Sequence, residues 1–301
     1  MGTFRQTAAS FWLRLFFWLS RHARWALRLL KRTAVWGTVR FSRQVRHATF
    51  ANARRILGAN LPDAQCEAFA RKVVGNFFDF VVDVGRSFGM SARQLHDRIE
   101  SDEGREAYLI HRKAGRGAII ATAHMGSFEV GLAALTDVER NIHVVFKRDS
   151  LDGFESIRSA LRATLGVHEA AIDDGWDTWM RLRDALEKDH VVVMQADRAM
   201  PGQKAQAVPM LGGHILLPLG PIKLAQISRS PIVPVFTLRA PSGCIRVIAE
   251  APIEIDPNAL LVDGVHPALL QLGRVMEKYI AAYPEQWLVL NPAFVEDAVN
   301  A

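Results

Sequence analysis

The spacing of apolar positions changes character once along the chain. Over residues 11–57 they recur at helical intervals and predict one or two long helices. The next stretch, LPDAQCEAFARKVVGNFFDFVVDVGRS, opens on Pro62 and Asp63, residue types that suit a first helical turn. It continues with Phe69, Val73, Phe77, Phe80 and Val84, three or four residues apart. MSARQLHDRI adds a short helix with Ser91 as its N-cap. From about residue 104 short β-rich runs alternate with helical ones. Strands are predicted at 117–123, 142–147 and 190–196, with further runs at 205–210, 232–239 and 244–250. Helices are predicted at 128–139, 152–165, 175–188, 220–229 and 264–283. This alternation predicts an α/β fold whose central sheet is mostly parallel or mixed and flanked by helices. The chain then divides into a helical segment 1–60, a helical lead-in 61–103 packed on the core, and an α/β domain 104–301.

Half of the 301 residues are apolar, enough for a substantial core. The two cysteines, Cys66 and Cys244, form neither a disulfide framework nor a Cys-x-x-Cys knuckle, which points to a reducing compartment. Charge alters the picture more. The net charge is +6, yet twelve of the 37 Lys and Arg lie before Asp63, the first acidic residue. The rest of the chain carries 25 basic residues against 31 acidic ones, so the positive charge belongs to the N-terminal segment. Its partner should be polyanionic. SFWLRLFFWLSRHARWALRLL interleaves Phe11, Trp12, Phe16, Phe17, Trp18 and Trp25 with Arg14, Arg21, Arg24, Arg28 and Arg32. Aromatic rings favour the headgroup boundary and arginines pair with lipid phosphates, so an anionic membrane surface is expected, with the segment lying on it as an amphipathic anchor. The alternatives are a basic helix packed on its own domain, or nucleic-acid binding, which no recognisable motif supports. A span needs ~20 mostly apolar residues. The run Leu15–Leu19 is far shorter and Arg14 stops its extension. No small-x-small cleavage site follows it, which argues against a signal peptide.

The candidate chemistry sits where the 117–123 strand ends, in ATAHMGSFEVG. In an α/β sheet the site is expected beyond the carboxyl ends of the strands, which is where His124 falls. On one continuous helix His124 and Glu129 would diverge by about 140°. With His124 in the turn and Glu129 in the first turn of the following helix they can converge, Met125-Gly126-Ser127 forming the turn and Ser127 capping the helix. A carboxylate on one imidazole nitrogen fixes the tautomer and frees the other nitrogen as a base. No G-x-S-x-G elbow is present, so the simplest chemistry is direct attack by a substrate hydroxyl on an activated acyl carbon. The rival readings are a zinc site, for which no third ligand stands at a recognisable interval, and a capped turn with a structurally satisfied histidine.

TAHMGSFEVG is followed in order by FKRDSLDGFESIRSALRATLG, VVVMQADRAMPGQKAQAVPMLGGHILLPLGPIKLAQISRSPIVPVF and YPEQWLVLNPAF. This succession, over about residues 45–295, resembles the late acyltransferases of lipid A biosynthesis, the lauroyl and myristoyl transferases within the lysophospholipid acyltransferase superfamily. The resemblance implies a glycerolphosphate acyltransferase-like fold and acyl transfer from an acyl carrier protein thioester to a glycolipid hydroxyl, without a cofactor, at the cytoplasmic face of the inner membrane. His124 and Glu129 match the family's H-x-x-x-x-[D/E] pair, base and orienting partner. Arg162 matches a basic position expected to contact the thioester carbonyl or an acceptor phosphate. Asp197 and Arg198 match an Asp-led turn in which Arg198 binds phosphate and Asp197 orients Arg198 or the acceptor. Lys147 and Arg148 are further candidates for an acidic substrate; Pro218, Gly220 and Pro221 match a backbone-shaping segment, and Trp287 is read as packing. His214 is a weaker catalytic candidate. Phe128 stands where the family often has Trp, and VPMLGGH lacks the usual aromatics before its glycine, which bears on the substrate more than on the chemistry. Other acceptors (a phosphatidylinositol mannoside, an aminolipid, a lysophospholipid), a non-catalytic lipid-binding relative and a hydrolase are the competing readings.

Overall fold

The computed structural model describes residues 15–148, 152–200 and 202–298. Its centre is a seven-stranded sheet built from β1 (Ile99–Glu103), β2 (Ala118–Thr122), β3 (Ile142–Phe146), β4 (His168–Ala171), β5 (Val191–Gln195), β8 (Ile232–Arg239) and β9 (Ile245–Ala249). The order is β1-β9-β8-β2-β5-β3-β4, and every neighbouring pair is parallel except β8–β9. β6 (Ala205–Met210) and β7 (Gly213–Pro218) form a separate antiparallel hairpin. β2 is buried at all five positions, as expected of a parallel strand covered on both faces. The mixed, mostly parallel sheet flanked by helices agrees with the fold predicted from the alternation.

Three strands were not predicted. β1 (IESDE) and β4 (HEAA) are the two edges of the sheet, short and charged as edges tend to be. β7 follows a tight turn in which Leu211 takes a positive φ of 56°. The sheet thus begins at Ile99, ahead of the change of texture read at residue 104.

The helices are α1 (15–22), α2 (Arg24–Phe41), α3 (Arg43–Leu57), α4 (Asp63–Ser87), α5 (Ala92–His96), α6 (Arg105–Arg112), α7 (Phe128–Thr136), α8 (Asp152–Thr164), α9 (Trp176–Glu187), α10 (Gly220–Ser228), α11 (Pro267–Ala282) and α12 (Val295–Ala298). The expected one or two N-terminal helices are thus three among the described residues. Ser42 separates α2 from α3 and caps α3 by accepting from the Val45 amide at 3.3 Å. Arg5, Phe11, Trp12 and Arg14 lie outside the described residues. Among the described residues no helix is long and apolar enough to cross a membrane.

The helices α2, α3 and α4 share a small core of Val39, Ala53, Cys66, Ala70 and Val73. Asp83, buried on α4, ties them to the sheet. It accepts from Arg98 Nη2 at 2.5 Å, just before β1, and from Arg239 at the end of β8. A buried carboxylate between two guanidiniums fixes α4 across the end of the sheet where β2 and β8 finish.

Candidate active site

The loops leaving β2 and β5 create the site. These strands are parallel neighbours in which Thr122 stands opposite Gln195. Two residues beyond each lie His124 and Asp197, so equal offsets from one register bring together groups 73 positions apart. His124 Nδ1 is 2.7 Å from Asp197 Oδ1, and Trp287 Nε1 donates to Asp197 Oδ2 at 2.7 Å. Asp197 is 0 % exposed. Burial alone raises its carboxyl, but the charge and hydrogen bond of His124, with help from Arg198 and the Trp287 indole, outweigh burial and hold it down at about 2.

The turn after β2 is locked from the C-terminal side. Leu288 donates to the His124 carbonyl at 2.8 Å, Met125 bridges to Trp287, and Gly126 donates to the Gln286 carbonyl at 3.3 Å. Gly126 has φ 56°, and a Cβ there would lie 2.4 Å from the Thr237 carbonyl oxygen, so only glycine fits this close approach. Trp287, read as packing from the sequence, is therefore also the second hydrogen-bond donor to Asp197. Phe128 meets His124 edge-on at 5.9 Å and stacks on Phe80 at 4.9 Å, fencing the imidazole from the α4 side.

The carboxylate bonded to the imidazole is thus Asp197, which corrects the expectation that Glu129 holds the ring. Glu129 is buried at the start of α7 and accepts from Arg158 Nε on α8 at 2.5 Å. Ser127 is the N-cap of α7, but its side chain makes no cap hydrogen bond, and its buried Oγ has no partner among the described residues.

His124, Glu129 and Arg158 open on a cleft of about 1460 Å³. One wall is the apolar sheet face, with Ile120, Val144, Val193 and Val235; the opposite wall is α7, with Leu132 and Leu135. Lys147 and Arg148, exposed at the end of β3, line the same cleft together with Arg198, Lys204 and Lys223, beside the exposed Trp176. Arg148 is held by Asp174 at 2.7 Å. Two buried donors in the lining, Gln195 Nε2 and Arg198 Nε, have no partner among the described residues. Such orphans are costly in a finished core and are explained where a substrate supplies the acceptor.

Arg162 is not in the lining, a second correction. It is 0 % exposed, donates from Nε to Glu169 at 2.6 Å and from Nη2 to Glu155, and lies 4.4 Å from the Phe146 ring centroid. Phe146 faces the cleft, so Arg162 braces the wall from behind. His214 is exposed on the hairpin and pairs with Glu296 at 2.7 Å, outside the cleft lining. Among the described residues no group of three His, Cys, Asp or Glu side chains is placed to hold a metal ion.

A sequence model of bacterial lipid A biosynthesis acyltransferases matches residues 4–295, nearly the whole chain. The chain belongs to that family. Among curated proteins none matches it. Membership makes the protein an acyltransferase acting in lipid A biosynthesis, and it gives the cleft its context. The cleft brings together an imidazole, apolar walls and a cationic rim.

Proposed function

We propose that this acyltransferase moves a fatty acyl chain from an acyl carrier protein thioester to a hydroxyl of a lipid A precursor, with His124 as general base and Asp197 as the group that orients it. The observation that carries this reading is the bond between His124 Nδ1 and the buried, ionised Asp197 at the edge of an apolar-walled cleft. With Nδ1 engaged, Nε2 is the nitrogen left to take a substrate proton.

The acceptor hydroxyl gives its proton to Nε2 while its oxygen bonds to the thioester carbon. Asp197 stabilises the imidazolium that forms. The carbonyl oxygen becomes an oxyanion, and donors that line the cleft without a partner, Gln195 Nε2 and Arg198 Nε, are suited to meet it or the acceptor's oxygens. Collapse breaks the carbon–sulfur bond, and the departing thiol takes the proton from His124. Glu129 acts one step back, holding Arg158 toward the cleft. Lys147, Arg148 and Arg198 receive the acidic head of the acceptor.

The protein works at an anionic membrane surface, on the cytoplasmic face of the inner membrane where the acyl carrier protein has access. Support comes from α2, whose exposed Trp25, Leu29, Trp36 and Phe41 are interspersed with Arg28, Arg32 and Arg40.

Incubation of the purified protein with labelled acyl-acyl carrier protein, with and without a lipid A precursor, tests the reading. Label should pass to the glycolipid only when the acceptor is present, and His124→Ala should abolish transfer while circular dichroism stays unchanged. Free fatty acid without acceptor would indicate a hydrolase instead, and an inert thioester under all conditions a lipid-binding protein.

A further inference from the structure

A second cavity, of about 510 Å³, lies between α2 and α4 and shares no lining residue with the catalytic cleft. Four cations line it: Lys31 and Arg32 from α2, Arg71 and Lys72 from α4. Trp36 stands at its edge, 49 % exposed. Glu285 is the acidic residue in the lining, and Lys72 meets it only at 4.0 Å. Lys31 is held by Asp79 at 2.6 Å and Arg71 by Glu67 at 2.6 Å, neither carboxylate lining the cavity. Arg32 has no carboxylate partner among the described residues and is exposed.

The helix geometry joins this cavity to an apolar stripe. At about 100° per residue, Trp25, Leu29, Arg32 and Trp36 fall within about 60° of one another on α2. Trp25 is 68 % exposed and Leu29 equally so. A row of exposed rings and a leucine ending at a cationic hollow matches an anionic phospholipid, with its phosphate between Arg32 and Lys72 and its chains along Trp25, Leu29 and Trp36. A nucleic acid would use the cations but not the exposed leucine and indoles in the same row.

We propose that the hollow between α2 and α4 binds one anionic membrane phospholipid by its phosphate, as a headgroup site separate from the catalytic cleft. The source of that lipid rests on the reading that α2 lies at a membrane surface. The phosphate takes charge-assisted hydrogen bonds from Arg32 and Lys72, and the bilayer keeps the apolar stripe out of water.

Monomeric dihexanoyl-phosphatidylglycerol, below its micelle concentration, tests the site by calorimetry without a surface field. It should saturate a single site, while dihexanoyl-phosphatidylcholine should not. The double variant Arg32→Gln/Lys72→Gln should bind it at least about tenfold more weakly, since it loses two hydrogen bonds to a charged group. The pair Arg28→Gln/Arg40→Gln, on the same helix but outside the cavity, should leave the affinity unchanged. No saturable binding, or equal losses in both double variants, overturns the site. Inorganic phosphate binding as tightly as the lipid overturns the lipid assignment in favour of a free anion. Sedimentation with equimolar phosphatidylcholine–phosphatidylglycerol vesicles separates the two readings. Vesicle binding without monomer binding keeps the membrane surface and removes the site; monomer binding without vesicle binding does the reverse.

Discussion

The indole of Trp287 donates to Asp197 Oδ2 at 2.7 Å, on the oxygen that His124 does not use. Both oxygens of a fully buried carboxylate are therefore occupied, one by an imidazole and one by a neutral donor. The donor fixes the carboxylate plane, and the carboxylate fixes the imidazole tautomer. Asp197→Asn should lower kcat by about 10²–10⁴-fold with the fold retained. Trp287→Phe removes one hydrogen bond to a charged group and should cost about tenfold or somewhat more. Single-turnover transfer rates check both. A Trp287→Phe loss as large as that of Asp197→Asn would mean that the indole does more than hold the carboxylate.

Asp197 also has a pH signature. Its folded value of about 2 lies below the ordinary 3.8, so the stability it contributes is present above 3.8 and is lost as pH falls through 2. Its ionisation therefore puts no limb of its own on the rate profile near neutrality, and a direct carboxyl titration by 13C NMR with a midpoint above 3.8 would contradict the low value.

Glu129 holds Arg158 and not the imidazole. Glu129→Gln keeps the shape but weakens that ion pair, so the effect should fall on the guanidinium's contact with substrate. We expect KM for the acidic acceptor to rise about tenfold, with kcat changed less than in Asp197→Asn, because charge-assisted bonds are about twice as strong as neutral ones. Steady-state kinetics with varied acceptor decides this. A collapse of kcat at unchanged KM would return Glu129 to the imidazole.

The sequence signals were local, and the site is not. The apolar run 117–123 ending in His124 marked a strand end, and the strand before QADR placed Asp197 and Arg198 at another. Nothing in a linear reading said that these two strands are neighbours, or that Thr122 faces Gln195. Glu129, five residues from His124, was the nearest carboxylate in sequence, whereas sheet register supplied a nearer one in space. Arg162 shows a second limit: charge alone does not tell a substrate ligand from a buried brace. A usable signal was present, since Glu155 precedes Arg162 by seven residues, two helical turns on one face of α8. The edge strands β1 and β4 give no strand signal in the sequence because charged tetra- and pentapeptides carry little periodicity.

If the apolar wall between the sheet and α7 receives the acyl chain, its bulk sets the length that fits. Val193 lines that wall and is partly buried. Val193→Phe should shift the preferred donor toward shorter chains. Each methylene no longer accommodated removes about 0.8 kcal/mol of transfer energy, about fourfold in relative kcat/KM. Competition between acyl-carrier-protein donors of different length gives the ratio, and an unchanged preference would place the chain elsewhere.

Asp83 carries a stability prediction independent of function. Its carboxylate is 2 % exposed between Arg98 and Arg239. Asp83→Ala would leave two guanidiniums without their shared partner and should destabilise by about 3–5 kcal/mol. Urea unfolding measures it. A loss below about 1 kcal/mol would show that α4 does not depend on this clamp.

At the opposite ends of the strands, where β3, β4 and β5 begin, three imidazoles form a stack. His143 lies 4.8 Å from His168 and 5.3 Å from His190 between ring centroids, and its Nε2 is 3.1 Å from His190 Nδ1. Burial first, then the charges of His168 and His190, push His143 down from 6.5 to about 4. His190 is lowered as well, by burial and by His168. Between pH 6.5 and 4 the unfolded chain therefore binds protons that the folded one refuses, so stability rises with pH there. The contribution is complete above 6.5 and is lost as pH falls toward 4. Thermal midpoints should be level above that window and decline through it, and His143→Asn should flatten the decline. A variant that retained the whole acid slope would move its origin away from the stacked rings.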